Sequence, residues 1–152
     1  FVANALPNAR IICLRRNPLD SCLSNFREPF SETSPLHGYS FDLLDTGRYY
    51  VVFDRLMAHL KLVLPGRILE VDYETLVATQ EASTRQLLEH CGLPWNDACL
   101  HFERNQAPST TASSVQVRAP MHRDAVRRWA KYEEQLKDLR TLLSDAGIDC
   151  DR

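Results

Sequence analysis

Apolar positions along this chain follow two different periods, and the changes from one to the other mark out its elements. The run Arg10-Ile11-Ile12-Cys13-Leu14-Arg15, after the turn-prone Pro7-Asn8, predicts a buried strand over 10–15. A helix follows at once. Asn17 can cap it, Pro18 suits the first helical position because its missing N–H is harmless there, and Asp20 suits the positive end of the helix dipole. The helix is expected to run to about residue 30, where Pro29 and the Ser-, Thr-, Pro- and Gly-rich stretch 31–40 break it. From 41 to 64, Leu44, Val51, Val52, Leu56, Leu60 and Val63 recur at helical spacing until Pro65-Gly66 stops the pattern. Arg67-Ile68-Leu69-Glu70-Val71 predicts a second strand, and the insertion between the strands is long enough for a parallel crossover. The expected unit is βααβ.

After Tyr73-Glu74-Thr75-Leu76 the spacing predicts a helix over about 80–91, closed by Gly92 with Pro94 beyond it. Residues 95–102 suit a short helix. Residues 105–121, rich in Gln, Ser, Thr, Ala and Pro without periodicity, read as an exposed loop, and 123–135 and 137–147 as two final helices. No repeat or low-complexity tract divides the chain, so a single domain is expected.

The chain has 152 residues, 44% hydrophobic and 25% charged, which excludes collagen-like, low-complexity and wholly disordered classes. A chain of this length can bury roughly 68–70% of its unfolded surface, enough for a core without disulfides or metals. The net charge of −2 argues against a protein that coats nucleic acid or anionic membrane. No apolar run approaches the ~20 residues of a membrane span, so a soluble protein is expected. Cys13, Cys22, Cys91, Cys99 and Cys150 are odd in number and lack C-x-x-C or metal-ligand spacing, which points to free thiols in a reduced, cytoplasmic compartment. The chain opens on Phe1-Val2-Ala3-Asn4, with neither an initiator Met nor a signal pattern, and so reads as a fragment.

Open α/β sheets place their ligand crevices at the carboxyl ends of their strands, and there this sequence puts Arg15 and Arg16. Arginine presents a fixed fork of donors matched to phosphate oxygens. Ser24 stands eight residues after Arg16, and Asn17, Asp20 and Ser24 share a helix face. An anion site at Arg16 and Ser24 is one reading; surface arginines beside a solvated serine are the other.

The stretch Pro7-Asn8-Ala9-Arg10-Ile11-Ile12-Cys13-Leu14-Arg15-Arg16-Asn17-Pro18-Leu19-Asp20-Ser21-Cys22-Leu23-Ser24 resembles the 3′-phosphate-binding segment of sulfotransferases that use 3′-phosphoadenosine 5′-phosphosulfate (PAPS). In that family an Arg at a strand end, followed by Asn/Asp-Pro and by a Ser eight positions on, holds the 3′-phosphate, which implies Arg16 and Ser24 here. Gly47-Arg48-Tyr49-Tyr50, Pro65-Gly66-Arg67-Ile68-Leu69-Glu70-Val71, Tyr73-Glu74-Thr75-Leu76-Val77 and Cys91-Gly92-Leu93-Pro94-Trp95 follow in order. Together they are similar to bacterial sulfotransferase domains often found behind tetratricopeptide repeats, and to tyrosylprotein sulfotransferases. The resemblance implies Tyr73 beside the adenine, where stacking contributes ~1–3 kcal/mol per base. Thr75 departs from the motif's usual acidic residue. Residues 111–120, with Arg127-Arg128-Trp129, resemble the late loop that folds over the cofactor. That implies Gln116, Val117, Arg118 and Arg128 as cofactor-binding residues and Ser113 or Ser114, with the choice between them open, as the catalytic donor to the transferring sulfuryl group.

The fold implied is α/β, with a P-loop-like parallel sheet. Residues 1–152 would be an incomplete, helix-rich C-terminal portion of one sulfotransferase domain. The phosphosulfate loop and the general base, Glu or His, are expected upstream of residue 1. Of His37, His59, His90, His101 and His122 none matches a base motif, and His59 and His90 suit packing or surface roles. The implied activity is metal-free sulfuryl transfer from PAPS to a hydroxyl or amine, leaving adenosine 3′,5′-bisphosphate. The nucleotide and an unspecified acceptor are the implied partners, with neither nucleic acid nor membrane, and a tetratricopeptide-repeat region is the candidate upstream neighbour. A non-catalytic nucleotide-binding or protein-interaction module that keeps the 3′-phosphate site is the alternative. A P-loop kinase relative finds no support, because no Gly-x-x-x-x-Gly-Lys-Ser/Thr occurs.

Overall fold

The structure, a computed structural model, describes residues 5–28, 30, 36–105, 107 and 118–151. Strands β1 (Ile11–Arg15) and β2 (Ile68–Asp72) pair in parallel, with Ile11 opposite Ile68 and Arg15 opposite Asp72. The connection between them carries α1 (Pro18–Arg27), a 3₁₀ turn at Gly38–Phe41 and α2 (Leu43–Val63). The chain therefore has the α/β class and the parallel βααβ unit that its patterning predicts.

Local chemistry sets the element ends. The Asn17 side-chain oxygen accepts from the N–H groups of Leu19 and Asp20 at 3.0 and 3.3 Å, and Pro18 fills the first helical position. Asp42 caps α2 by accepting from the Asp45 N–H at 2.8 Å. Beyond α2 the chain turns through Pro65 and Gly66, the latter at φ +72°, where an L side chain would be strained. After β2 come α3 (Tyr73–Ala78), α4 (Gln80–Cys91), 3₁₀ turns at Asp97–Leu100 and Phe102–Arg104, and finally α5 (Lys137–Asp145).

The structure differs from the sequence reading in three places. Helix α3 starts immediately at Tyr73, because Asp72 caps it by accepting from the Thr75 N–H at 2.9 Å. The helix expected over 123–135 does not form. Arg127 takes a left-handed conformation, φ 56° and ψ 30°, and the chain continues as a 3₁₀ turn at Arg128–Tyr132. Val126, Trp129 and Tyr132 stand three apart, the spacing of three residues per turn. Finally, β1 is not buried throughout: Ile12 and Leu14 are 45% and 52% exposed.

The core lies between α1, α2 and the C-terminal segment. Leu19, Cys22 and Leu23 of α1 pack with Tyr50 of α2 and with Trp129, Leu136, Leu139, Leu143, Ile148 and Cys150. Each fully buried large apolar side chain contributes about 1.5–3 kcal/mol. Helices α2 and α5 approach so closely at Gly47 that an added Cβ would sit 2.5 Å from Leu139 Cδ1. Arg15, 8% exposed, ties β1 to α2 through an ion pair with Asp54, with Glu70 at 3.7 Å and the Phe53 and Tyr50 rings centred 5.2 and 5.8 Å from its guanidinium. Among the described residues no helix is long and apolar enough to cross a membrane.

Candidate functional site

A cavity of about 510 Å³ opens at the carboxyl end of β1, between α1, the start of α3 and the segment 125–128. Arg16, Ser24, Tyr73 and Arg128, all singled out in the sequence, line it. They come from different stretches of chain. Arg16 follows β1, Ser24 lies on the exposed face of α1, Tyr73 opens α3 and Arg128 begins the last 3₁₀ turn.

Arg16 is the most tightly held of the four. Its Nη2 donates to the carbonyl of Ala125 and lies 3.7 Å from Asp20 Oδ2, while its guanidinium stands over the Tyr73 ring at 5.3 Å. Its Nε is buried and finds no hydrogen-bond partner among the described residues. Next along the chain, the Asn17 N–H donates to Glu74 Oε1 at 3.0 Å and its side-chain amide donates to the Cys150 carbonyl at 2.8 Å. Arg15, Arg16 and Asn17 thus anchor the strand-to-helix turn to α2, to the segment 125–128, and to α3 and the C-terminus. Arg15 is occupied by that role and does not face the cavity.

The walls also carry residues that the sequence reading did not single out for binding: Leu14, Leu23, Arg27, Glu28 and Ala125. Asp20, placed by the sequence on the same helix face as Ser24 but given no binding role, lines the cavity as well. It is 1% exposed, and its Oδ1 accepts from the Trp129 N–H at 2.8 Å. Helical spacing was the available signal, since positions 20, 24 and 27 follow the i, i+4, i+7 rule for one face. Three arginines, Arg16, Arg27 and Arg128, face two carboxylates, Asp20 and Glu28, so the cavity favours an anion.

Other expected residues lie elsewhere. Arg118 is exposed, donates to the Ala107 carbonyl at 2.7 Å and does not line the cavity. Ser113, Ser114, Gln116 and Val117 fall outside the described residues. His59 is exposed on α2, and His90 places Nε2 3.2 Å from the Ile11 carbonyl. All five cysteines are free. Burial, reinforced by neighbouring Cys150, pushes the Cys22 thiol up to about 12, so it is a packing group, whereas Cys13 is only half-buried.

A model of the Sulfotransferase family matches residues 1–97, the stretch that holds Arg16, Ser24 and Tyr73. The chain belongs to the sulfotransferase family. It is 37% identical over 139 residues to an uncharacterized protein of Aquifex aeolicus (strain VF5), covering 91% of this chain and 18% of that protein. It is 33% identical over 95 residues to a protein-tyrosine sulfotransferase of Drosophila melanogaster, covering 55% of this chain and 19% of that protein. The chain thus spans about a fifth of the length of the curated relatives it matches. Arg128 lies beyond the sulfotransferase match yet faces the same cavity.

Proposed function

We propose that this sulfotransferase-family chain binds the 3′-phosphate and adenine of PAPS in a cytoplasmic protein that transfers the sulfuryl group to a hydroxyl or amine and releases adenosine 3′,5′-bisphosphate. The observation that carries this reading is the convergence of Arg16, Ser24, Tyr73 and Arg128 on one cavity. The donor set suits a phosphate monoester. A buried Arg16 N–H has no acceptor among the described residues, and such a donor costs about 1–3 kcal/mol until one is supplied. Arg128 and Ser24 add donors from two further directions, and the Tyr73 ring offers a face to a purine.

When bound, PAPS supplies the activated sulfuryl group. The task of these residues is registration: fixing the 3′-phosphate end of a donor holds its reacting end in line with the acceptor, the positioning on which group transfer depends. On this reading residues 1–152 are the later portion of one sulfotransferase domain. Ser113 or Ser114 donates to the sulfuryl oxygens, and Gln116, Val117 and Arg118 belong to the loop that closes on the nucleotide.

Calorimetric titration of the full-length protein with adenosine 3′,5′-bisphosphate and with AMP tests the reading. AMP lacks only the 3′-phosphate, and a charge-assisted phosphate contact is worth about 1.5–3 kcal/mol, so the bisphosphate should bind at least roughly 10-fold tighter. Equal affinities would overturn the site. A PAPS turnover assay on the same protein separates an enzyme, which transfers sulfuryl, from a binding module, which does not.

A further inference from the structure

The segment that delivers Arg128 to the cavity is pinned at both ends by residues one helical turn apart. Arg16 holds the carbonyl of Ala125, and Asp20 holds the N–H of Trp129 at 2.8 Å. Between the two pins lies Arg127 at φ 56°, the only positive-φ residue other than glycine among those described. A left-handed arginine costs about 1–3 kcal/mol and persists only where its surroundings impose it. Here it stands directly before the 3₁₀ turn that begins at Arg128. Asp20 is buried, and its other oxygen, Oδ2, has no hydrogen-bond partner among the described residues and stands 3.7 Å from Arg16. A buried carboxylate facing an anion site opposes anion binding, so its presence calls for a compensating role.

We propose that Asp20 and the left-handed Arg127 form a positioning device that aims Arg128 at the 3′-phosphate. The inference rests on the nucleotide reading above. Neither residue needs to touch the ligand. Asp20 acts through its bond to the Trp129 N–H, and Arg127 through its backbone conformation.

The test compares Kd for adenosine 3′,5′-bisphosphate with Kd for AMP in the full-length protein. Asp20→Asn keeps an oxygen for the Trp129 N–H while removing the charge that opposes an anion, and should retain or raise the bisphosphate preference. Asp20→Ala removes the acceptor and should cut the preference about 10-fold while AMP binding stays within threefold, the scale of one misplaced charge-assisted contact. Because Asp20→Ala strands a buried N–H and can unfold the protein, a second pair acts at the exposed Arg127. Arg127→Val disfavours the left-handed conformation and should lower the preference to a similar degree, whereas Arg127→Gly, which adopts it freely, should retain it. General destabilisation would weaken both nucleotides together and leave the preference intact. An unchanged preference in Asp20→Ala and Arg127→Val, or equal loss in the Asn and Ala variants or in the Gly and Val variants, overturns the inference alone. No preference in the parent protein overturns the nucleotide site, and this device with it.

Discussion

Arg15 and Arg16 are adjacent in sequence and opposite in fate, because successive side chains at a strand end point to opposite faces. Arg15 turns to α2 and is neutralised by Asp54, while Arg16 turns to the cavity; each keeps a buried Nε–H with no hydrogen-bond partner among the described residues, but only that of Arg16 belongs to a side chain lining the cavity. Arg16→Ala should weaken adenosine 3′,5′-bisphosphate by about 1.5–3 kcal/mol, roughly 10- to 150-fold, with little change for AMP, as read by calorimetry. Arg16→Lys should recover only part of the loss, since a point charge does not replace the guanidinium fork. The spacing of Arg16 and Ser24 was legible because it repeats a local strand-to-helix geometry. Tyr73 and Arg128 came only from resemblance, and Arg27 and Glu28 were missed because helical spacing says which face they share but not what covers it. Cys22 gives a prediction with a definite sign. Its folded value near 12 exceeds the ordinary thiol value of 9.0, so the unfolded chain loses that proton first as pH rises. The thiol's contribution to stability is therefore complete below pH 9 and declines from there towards 12. In denaturant titrations this should appear as an alkaline loss that Cys22→Ser shifts, and native Cys22 should resist thiol-specific reagents at pH 8.

At the scale of elements, what the sequence revealed were local signals. Asn17-Pro18 and Pro65-Gly66 mark helix boundaries through their own backbone chemistry, and both lie where expected. The Asp72 cap was an equally local signal, and attending to it would have placed α3. The break at 123–135 was not legible. Arginine has good helix propensity, and nothing in Arg127-Arg128-Trp129 announces a left-handed residue, or that the Trp129 N–H donates to a buried carboxylate 109 positions earlier. Asn17 joins both kinds of information, capping α1 with its oxygen while its amide donates to the Cys150 carbonyl. Asn17→Ala removes the cap and strands that carbonyl, and should cost about 2–4 kcal/mol in urea denaturation. Asn17→Ser should cost less, because a hydroxyl keeps the cap and loses only the link to the C-terminal segment.

Over the whole molecule the arrangement is asymmetric. One face of the two-stranded sheet is covered by α2 through Arg15, Asp54, Lys61 and Glu70, while Ile12 and Leu14 project from the other with about half their surface in water. Parallel sheets bury both faces, and two strands alone make a weak sheet. Sequence patterning identified the strand but not its cover, since an apolar run carries no information about the element that packs on it. The relatives it matches are several times longer than this chain. Ile12→Thr and Leu14→Thr should therefore each cost about 1.5–3 kcal/mol in the full-length protein, the value of a buried large apolar side chain. In residues 1–152 expressed alone, the same substitutions should cost less than about 1 kcal/mol, as at an exposed position. Leu19→Ala is the control: fully buried within this segment, it should cost about 2–5 kcal/mol in both settings, showing that the segment folds. A small cost for the two threonine variants in both settings, with the control intact, would mean that this face stays in water.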